Sequence, residues 1–494
     1  MLIATAAALL LPVANAQAFM DTWITTAFED TNILAGPEHY SPSANFVERG
    51  NRTFFEDYEA KYSDDISQSH LVLYRRDEGF WPNWFTESAL VLQFSPYLDP
   101  DQSDDGVALT DDGSYVRLVK MIDGDEDHTF SVTGYAVDAS RFRLGYSYDL
   151  SWGGREIYAV DAQALPGVRV QYQNDGTYAF IGAKSAVSDE IQETSDKRNQ
   201  AFYGLLAGAG VNLGGDLRLE AGAGSFRQGQ FTNVSDTSDP LYGENIQALG
   251  VSGQVAWRST DELDFIQSSE LRLYRNSPDQ MRDTYISHSQ LDGSGVLVQA
   301  EVNHLTHNLL DPDNTGSTVL ESGIAGDLQA VYVQGSTSIA VDLVYKDLAY
   351  ILFNVPGLTS GYALSSDLEV TPQVYGRAKI SRYFPDKRLT PSIGLGVMQP
   401  ATYQTDQGVF VQYTERNKEQ VPDGQAAANI LGSVLGLQVD ASKSMVLVGE
   451  LLYTLDNNLS DFVATEDNPE GERVLAAPEE RNQLGFNLIM RSRF

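Results

Sequence analysis

The sequence predicts an all-β fold, a transmembrane antiparallel β-barrel of about 16–18 strands with long extracellular loops and short periplasmic turns. Three observations predict it: an apolar N-terminal segment, a long series of segments that alternate apolar and polar side chains, and connections that are short at one end and long at the other. Alternation over about ten residues, bounded by turn residues, is typical of transmembrane strands. A secreted β-sandwich, or several β-domains in one chain, would show the same alternation in any single hairpin.

Residues 1–18, MLIATAAALLLPVANAQA, predict a signal peptide for export through the Sec pathway. The apolar run ends in two overlapping small-x-small sites, Ala14-Asn15-Ala16 and Ala16-Gln17-Ala18, the pattern that precedes signal cleavage. A short buried helix is the alternative interpretation. After residue 18, no apolar run reaches the roughly 20 residues that a transmembrane helix needs. An exported chain of this kind would therefore have to enter a membrane with strands.

The remaining chain divides into two predicted parts. Residues 19–66 are expected to form an irregular leader, a plug or a periplasmic strap, because Pro, Gly, Asn and Ser interrupt their periodicity. Residues 67–494 are expected to form the barrel. Its clearest predicted strands are RFRLGYSYDL (141–150), GVRVQYQ (167–173), DLRLEAGAG (216–224), VSGQVAWR (251–258), SGVLVQAEVN (294–303) and TPQVYGRAKISR (371–382). Tight turns are predicted at 138–140, 174–176, 214–216, 334–337, 385–387 and 441–444, and long polar loops at 228–244, 398–426 and 455–481.

The charge balance narrows the choice of partners. The 494 residues include 33 basic and 68 acidic side chains, which give a formal net charge of −35. Nucleic acid is therefore excluded as a partner, because no basic excess is present to replace the counterions of its phosphates. The chain contains no cysteine, which excludes disulfide bonds and cysteine-ligated zinc.

The basic residues are concentrated on the polar side of the predicted strands, whereas most carboxylates lie in loops. In a membrane barrel the polar side faces the lumen, so these bases are predicted to line a pore. The predicted pore-lining residues are Arg141, Arg143, Arg169, Arg218, Arg258, Arg377 and Lys379. The alternative is that the same bases pair with acids of an inserted loop and pack the interior, because lumen charges serve both purposes.

A calcium site is the cofactor that the sequence suggests. In DQSDDGVALTDD, Asp101, Ser103, Asp105 and Asp112 have a spacing similar to that of the oxygen ligands in an EF-hand loop. The final ligand is Asp instead of Glu, and an acidic exposed connection is the alternative. No other cofactor is predicted. The sequence has neither a Gly-x-Ser-x-Gly elbow nor a His-Glu-x-x-His motif, so no enzymatic activity is predicted.

The C-terminal stretch RNQLGFNLIMRSRF alternates up to the final residue, with Phe486, Leu488, Met490 and Phe494 on one side. This strand resembles the terminal strand of Gram-negative outer-membrane β-barrel proteins, although Ser492 stands where an apolar residue is more usual. The resemblance implies that these four residues form an assembly signal for the barrel assembly machinery. It also implies that the protein contacts outer-membrane lipid.

The most favoured function from these patterns is a porin-like passive or export channel in the outer membrane of a Gram-negative bacterium. Its lumen would be basic and its loops acidic, and a small solute would pass through it. A structural or interaction barrel, whose loops or leader bind an envelope protein, is the second hypothesis. A barrel-embedded enzyme is the third.

Overall fold

The computed structural model describes residues 21–30, 32–34, 66–97, 106–145, 147, 150–154, 157–158, 164–190, 198–231, 234, 236–263, 265, 293–353, 361–413, 418–463 and 471–494. Within these residues the chain is almost entirely made of antiparallel strands, with two short helices. None of the helices in this part of the chain has the length and apolar composition of a membrane-spanning helix.

The strands fall into one large sheet and two small ones. The large sheet contains β1 (Asp21–Asp30), β2 (Ile66–Glu78), β3 (Trp84–Tyr97), β4 (Gly106–Asp111), β5 (Tyr115–Ile122), β6 (Asp125–Tyr135), β7 (Gly167–Asn174), β8 (Thr177–Glu190), β9 (Arg198–Leu213), β10 (Leu217–Gln230), β11 (Asn245–Arg258), β12 (Ser294–Leu310), β13 (Thr318–Gln334), β14 (Thr337–Lys346), β16 (Gln373–Arg382), β17 (Leu389–Gln399), β21 (Ile430–Ser442), β22 (Met445–Leu455) and β25 (Asn482–Arg493). The small sheets contain β15 (Glu369–Thr371), β18 (Ala401–Thr405), β19 (Gly408–Gln412) and β20 (Lys418–Gln420), and β23 (Ser460–Val463) and β24 (Glu472–Leu475). The helices are α1 (Leu348–Phe353) and α2 (Pro478–Arg481).

The large sheet closes on itself. The first strand, β1, pairs with β2 on one edge and with the last strand, β25, on the other. Strands β4 and β5 pair with successive parts of β3, and so they occupy one position in the wall. The wall is therefore a closed antiparallel barrel of 18 strands. Closure removes the unpaired edges that a transmembrane sheet cannot expose to lipid, and the predicted barrel is confirmed.

The predicted leader at 19–66 is wrong over Asp21–Asp30, which is a strand of the wall. Its alternation is hard to recognise because Trp23 and Ala27 are buried on the lumen side, whereas Thr22 and Thr26 share the outer side with apolar residues. The strand is hydrogen-bonded along both edges. Strand β2 starts at Ile66, next to the predicted barrel boundary. Residues 35–65 and the predicted signal peptide at 1–18 lie outside the described residues.

The two ends of the barrel differ in their connections. Short turns at 79–83, 123–124, 175–176, 214–216, 335–336, 383–388 and 443–444 form the periplasmic end, together with the start of β1 and the end of β25. The described parts of the longer connections lie at the extracellular end and include 236–244, 311–317, 361–372, 400–413 and 471–481. The described start of one further connection, 259–263, is on the periplasmic side. The tight turn predicted at 138–140 is wrong, since these residues belong to the extracellular connection 136–166.

The outer surface of the wall is apolar. On β11, Leu249, Val251 and Trp257 are 58%, 52% and 45% exposed, whereas their alternating neighbours Ala248 and Ser252 are buried against the lumen contents. The same outward apolar series continues around the barrel. So much exposed apolar surface is unfavourable in water and is expected of a wall in contact with lipid.

Candidate functional site: the segment inserted into the lumen

The connection from β6 to β7 enters the barrel. We call the described residues of 136–166 the lumen segment. Backbone hydrogen bonds between Leu144 and Trp152 close a short antiparallel loop within it, and Leu165 pairs with Asp138 at its base. Phe142, Leu150 and Trp152 are fully buried. The stretch RFRLGYSYDL was predicted to be a wall strand, and this prediction is wrong: Phe142, Leu144 and Leu150 pack inside the lumen.

The wall makes room for these rings with four glycines that lie on one row of register partners, which we call the glycine row. Gly182, Leu206, Gly224, Gly250, Leu305 and Gly323 are successive register partners across β8 to β13. A Cβ atom at Gly182 would lie 2.5 Å from Cε1 of Phe142, and one at Gly250 would lie 2.5 Å from Cη2 of Trp152. A Cβ atom at Gly224 would be 3.0 Å from the same ring. Only glycine allows this close approach of wall and segment.

Buried polar side chains of the wall hold the segment in place. Lys184 Nζ donates to the carbonyl oxygens of Ala139 and Phe142, at 3.2 and 2.5 Å. Trp152 Nε1 donates to Ser252 Oγ at 2.8 Å. These contacts satisfy groups that would otherwise be costly to bury, and they bind the segment to β8 and β11.

A second group of contacts comes from β12. The backbone N–H of Ser147 donates to Glu301 Oε2 at 2.9 Å, and Asn303 Nδ2 donates to the carbonyl oxygen of Leu150 at 2.8 Å. Asn303 Nδ2 also lies 2.9 Å from Glu301 Oε1. Glu301 and Asn303 are 1% and 0% exposed. The carboxyl group of Glu301 therefore has hydrogen-bond partners in both the segment and the wall.

Helix α1 reaches inward to the same place. The hydroxyl of Tyr350 donates to the carbonyl oxygen of Leu150 at 2.5 Å, and a Cβ atom at Gly323 would lie 2.6 Å from the Tyr350 nitrogen. Asp347 begins the helix and accepts the N–H groups of Tyr350 and Ile324, each at 2.7 Å. Burial raises the pKa of the Asp347 carboxyl, although these two hydrogen bonds act in the opposite direction. The helix and the lumen segment thus form one packed insert.

The free side of the lumen segment contacts β2 and the junction of β4 and β5. Arg141 forms an ion pair with Asp112, whose carboxylate also lies 3.0 Å from His70 Nε2. Asp112 was a predicted calcium ligand, but here its carboxylate binds a guanidinium. The other predicted ligands, Asp101, Ser103 and Asp105, lie outside the described residues. The calcium site stays a prediction.

The predicted pore-lining bases divide into three groups. Arg169, Arg218, Arg377 and Lys379 are on wall strands with their side chains toward the lumen. Arg141 and Arg143 come from the lumen segment, so their predicted place on a strand is wrong. Arg258 is at the periplasmic end of β11 and donates to the carbonyl oxygens of Gly215 and Leu263, at 2.9 and 2.8 Å.

Several of these bases are paired with carboxylates of the wall. Arg218 contacts Glu220 at 2.8 Å, and Arg377 contacts Asp342 at 2.8 Å. Lys379 Nζ lies 3.2 Å from Glu450 Oε1. Arg143 and Arg169 have other partners. Arg143 donates to the carbonyl oxygen of Ser151 at 2.8 Å, and the guanidinium of Arg169 lies 5.9 Å from the centre of the Phe142 ring.

The wall carries more buried acids on its lumen side than the sequence of any single strand indicates. Glu220, Glu301 and Asp327 lie on one row across β10, β12 and β13, through the register pairs with Gln254 and between Glu301 and Asp327. All three are buried. Glu220 and Glu301 already stood on the polar side of predicted strands. Strand pairing is the signal that connects them to Asp327, and it is not visible in a single strand.

The two sides of the lumen differ in their contact with water. Near the lumen segment, Arg169 and Lys184 are 3% and 2% exposed. Away from the segment, the side chains of Arg117 on β5 and Lys379 on β16 are 19% and 25% exposed. Water therefore reaches these two parts of the lumen wall.

The predicted assembly residues of β25 lie on the outer surface. Leu488, Met490 and Phe494 are 50%, 38% and 56% exposed, and Phe486 shares their side of the strand. Recognition of this strand by the assembly machinery stays a prediction. Among the residues that the structure describes, no three His, Asp or Glu side chains are placed to hold a metal ion.

Comparison with known proteins finds similarity only among solved structures. No protein-family model matches the chain, and no curated protein matches it in sequence. OccAB2 of Acinetobacter baumannii aligns with 96% of this chain and 98% of its own, at 6% identity and a TM-score of 0.47. OpdQ of Pseudomonas aeruginosa aligns over 96% and 97%, at 7% identity and a TM-score of 0.46. OmpT, an outer membrane protein of Vibrio cholerae, aligns over 98% and 100%, at 10% identity and a TM-score of 0.36.

The classification follows from the features of the barrel itself. Its wall is closed, its outer surface is apolar, and its long and short connections are at opposite ends. The last strand, β25, pairs with the first strand, β1, and is followed by the exposed Phe494. The chain is an 18-stranded transmembrane β-barrel of the outer membrane of a Gram-negative bacterium.

Proposed function

We propose that this barrel is a passive channel for small solutes, with its conducting path beside the lumen-facing charges of β16 and β22. The observation that carries the proposal is the partial exposure of charged side chains on that side, chiefly Lys379 at 25%. Buried charges are costly without solvent or partners, and here partners and solvent both contribute. The insert packs against β8 to β13 and narrows the path.

The path is proposed to favour anions weakly. Lys379 is more exposed than its partner Glu450, whose side chain is 3% exposed, so the ammonium group faces the water and the carboxylate lies behind it. The pairing of Arg377 with Asp342 cancels much of the remaining field. Acidic loops at the extracellular mouth act against anions, but their charges are in a medium of high dielectric constant. Within a Debye length of about 10 Å at 0.1 M salt, the wall charges act most strongly on an ion in a narrow path.

Reconstitution in planar bilayers tests both statements. Single-channel steps, with a reversal potential of anionic sign in a salt gradient, are the expected result, and the preference should decrease at high salt. At the same salt concentration, Lys379→Gln should have a lower anion preference than the wild type, because Glu450 then loses its cationic partner. Lys418→Gln is a matched control, since Lys418 is in the extracellular sheet, with Nζ 5.6 Å from the centre of the Phe410 ring. A correctly folded barrel without any steps would contradict the channel and favour a structural or interaction role.

A further inference from the structure

The periplasmic rim of the barrel has an uneven charge distribution. From β5 to β12, the turns and the strand ends beside them carry the acids Asp123, Asp125, Glu126, Asp127, Asp175, Asp216, Asp261 and Glu262. The turns after β16 and β21 instead carry four exposed bases, Arg382, Lys387, Arg388 and Lys443. We call these four residues the basic rim. In a chain with a net charge of −35, such a concentration of bases is distinctive.

The basic rim is one continuous edge of backbone. The N–H of Tyr383 donates to the carbonyl oxygen of Ser336, and the N–H of Asp440 donates to that of Arg388, both at 2.9 Å. Farther along, the N–H of Arg493 donates to the carbonyl oxygen of Ser444 at 2.8 Å. The turns of three neighbouring hairpins are therefore fixed relative to one another and to the end of the chain. The backbone positions from which the four bases project are thereby fixed.

The bases of the basic rim are not neutralised within the described part of the chain. Among the described residues, no carboxylate forms an ion pair with Arg382, Lys387, Arg388 or Lys443. The acids in the same turns are few. Asp386 is exposed beside the bases, whereas Asp440 is on the lumen side of β21, 3.2 Å from Gln438 Nε2. The outer side of this sector is consequently positive and solvent-accessible.

The position of the basic rim relative to the apolar belt indicates what it meets. Ile380 is on the outer side of β16 and is 42% exposed, and Arg382 follows it on the same side. The guanidinium of Arg382 lies 5.3 Å from the centre of the Phe384 ring, which is 36% exposed. An apolar belt that ends in aromatic and basic side chains marks the level of lipid headgroups.

We propose that the basic rim binds the phosphate groups of anionic phospholipids in the inner leaflet of the outer membrane. Arg382 would contact headgroups from the lipid side, and Lys387, Arg388 and Lys443 would reach them from the turns. A basic side chain near an anionic membrane surface contributes about 1 kcal/mol, which corresponds to about a fivefold change in partitioning. The acidic turns on the opposite side of the rim would repel the same lipids. The barrel would thus have one anionic-lipid side, independently of whether it conducts.

Native mass spectrometry of the full-length protein from mixed micelles tests the proposal, with equal amounts of phosphatidylglycerol and phosphatidylcholine as probes. The wild type should retain phosphatidylglycerol preferentially. The triple variant Arg382→Gln, Lys387→Gln, Lys443→Gln should lose most of that preference, by roughly fivefold for each base. Arg388 is left unchanged because its φ of 51° makes the backbone sensitive to substitution.

The control variant neutralises three charges on the opposite side of the rim, Asp127→Asn, Asp216→Asn and Glu262→Gln, and should keep or increase the preference. Heat-modifiable migration confirms that each variant is folded. Equal retention of both lipids by the wild type would overturn the proposal, and so would an unchanged preference in the triple variant. A soluble polyglutamate probe provides a further arm. If it bound to the basic rim while no lipid was retained, an acidic polypeptide would be the partner and the lipid assignment would be wrong.

Discussion

The guanidinium of Arg493 donates two hydrogen bonds to the carboxylate of Asp21, at 3.0 and 2.7 Å, across the seam where the last strand meets the first. Beside this pair, the N–H of Phe494 donates to the carbonyl oxygen of Thr22 at 2.9 Å. The final residue of the chain therefore takes part in closing the barrel. Its ring points outward, 56% exposed, and makes no contribution to the lumen.

The seam predicts a difference between two neighbouring substitutions. Phe494→Ser should sharply reduce the amount of heat-modifiable barrel in outer-membrane fractions, because it removes the outward aromatic end of the proposed assembly signal. Arg493→Gln should have a small effect on stability, about 0.2–1 kcal/mol, because the Arg493–Asp21 pair is solvent-exposed. Wild-type amounts of inserted Phe494→Ser protein would argue against the role of Phe494 in assembly.

The glycine row predicts the effect of a side chain on the lumen face. Gly250→Val should displace Trp152 and cost about 1–3 kcal/mol, the usual cost of overpacking. Gly253→Val, on the outer side of the same strand, is the matched control, because a Cβ atom there meets nothing within 4 Å. Thermal unfolding of the two variants in the same detergent measures the difference. Equal stabilities would mean that Trp152 does not require the space above Gly250.

The contacts of Glu301 predict how firmly the lumen segment is held. In Glu301→Ala, the N–H of Ser147 loses its acceptor, and a buried donor left without a partner costs about 1–3 kcal/mol. The segment should become more mobile, and the channel should show larger and noisier conductance. Gln299→Ala is the control on the same strand, since Gln299 is also buried but forms no hydrogen bond to the described residues of the segment. Hydrogen exchange of residues 142–152 measures the mobility directly, and equal exchange in both variants would contradict the anchoring role.

The docking of α1 should depend on pH. Burial raises the pKa of Asp347, so the docked state binds a proton more strongly than the undocked state. Stability that depends on this proton is present below the ordinary carboxyl pKa of about 4 and is lost as the pH rises through the raised pKa. Protection of the Tyr350 N–H, corrected for intrinsic exchange, should therefore decrease from acidic toward neutral pH. Asp347→Asn should remove this dependence. An increase in protection with pH would show that the two backbone hydrogen bonds outweigh burial.

The alternation of side chains was sufficient to predict most of the wall. Each strand has a period of two, and this pattern is written in neighbouring residues. For that reason β7, β10, β11, β12 and β16 are in the predicted places. The outward side of β25 is also as predicted. The difference between short turns and long loops was also predicted from the sequence, because turn residues determine the backbone conformation locally.

Alternation alone did not separate the wall from the insert. RFRLGYSYDL alternates as a strand does, but its Phe142 ring packs against the inner wall and Leu144 pairs with Trp152 of the lumen segment. β1 has the opposite problem, because threonine on its outer side and Trp23 on its lumen side weaken the pattern of a wall strand. In both cases the partners are far away in the sequence, and contacts over that distance decide which interpretation is correct.

The sequence by itself determined the class of the protein, the faces of most strands and the outward aromatic end of the chain, because these depend on local periodicity and composition. Only the tertiary structure decided what the lumen contains. The glycine row, the contacts of Lys184 and Glu301 with the insert, and the pairing of Lys379 with Glu450 all depend on strand register. Register brings together residues that are far apart in the chain, and a charge that looks unopposed on one strand is neutralised by a partner on another.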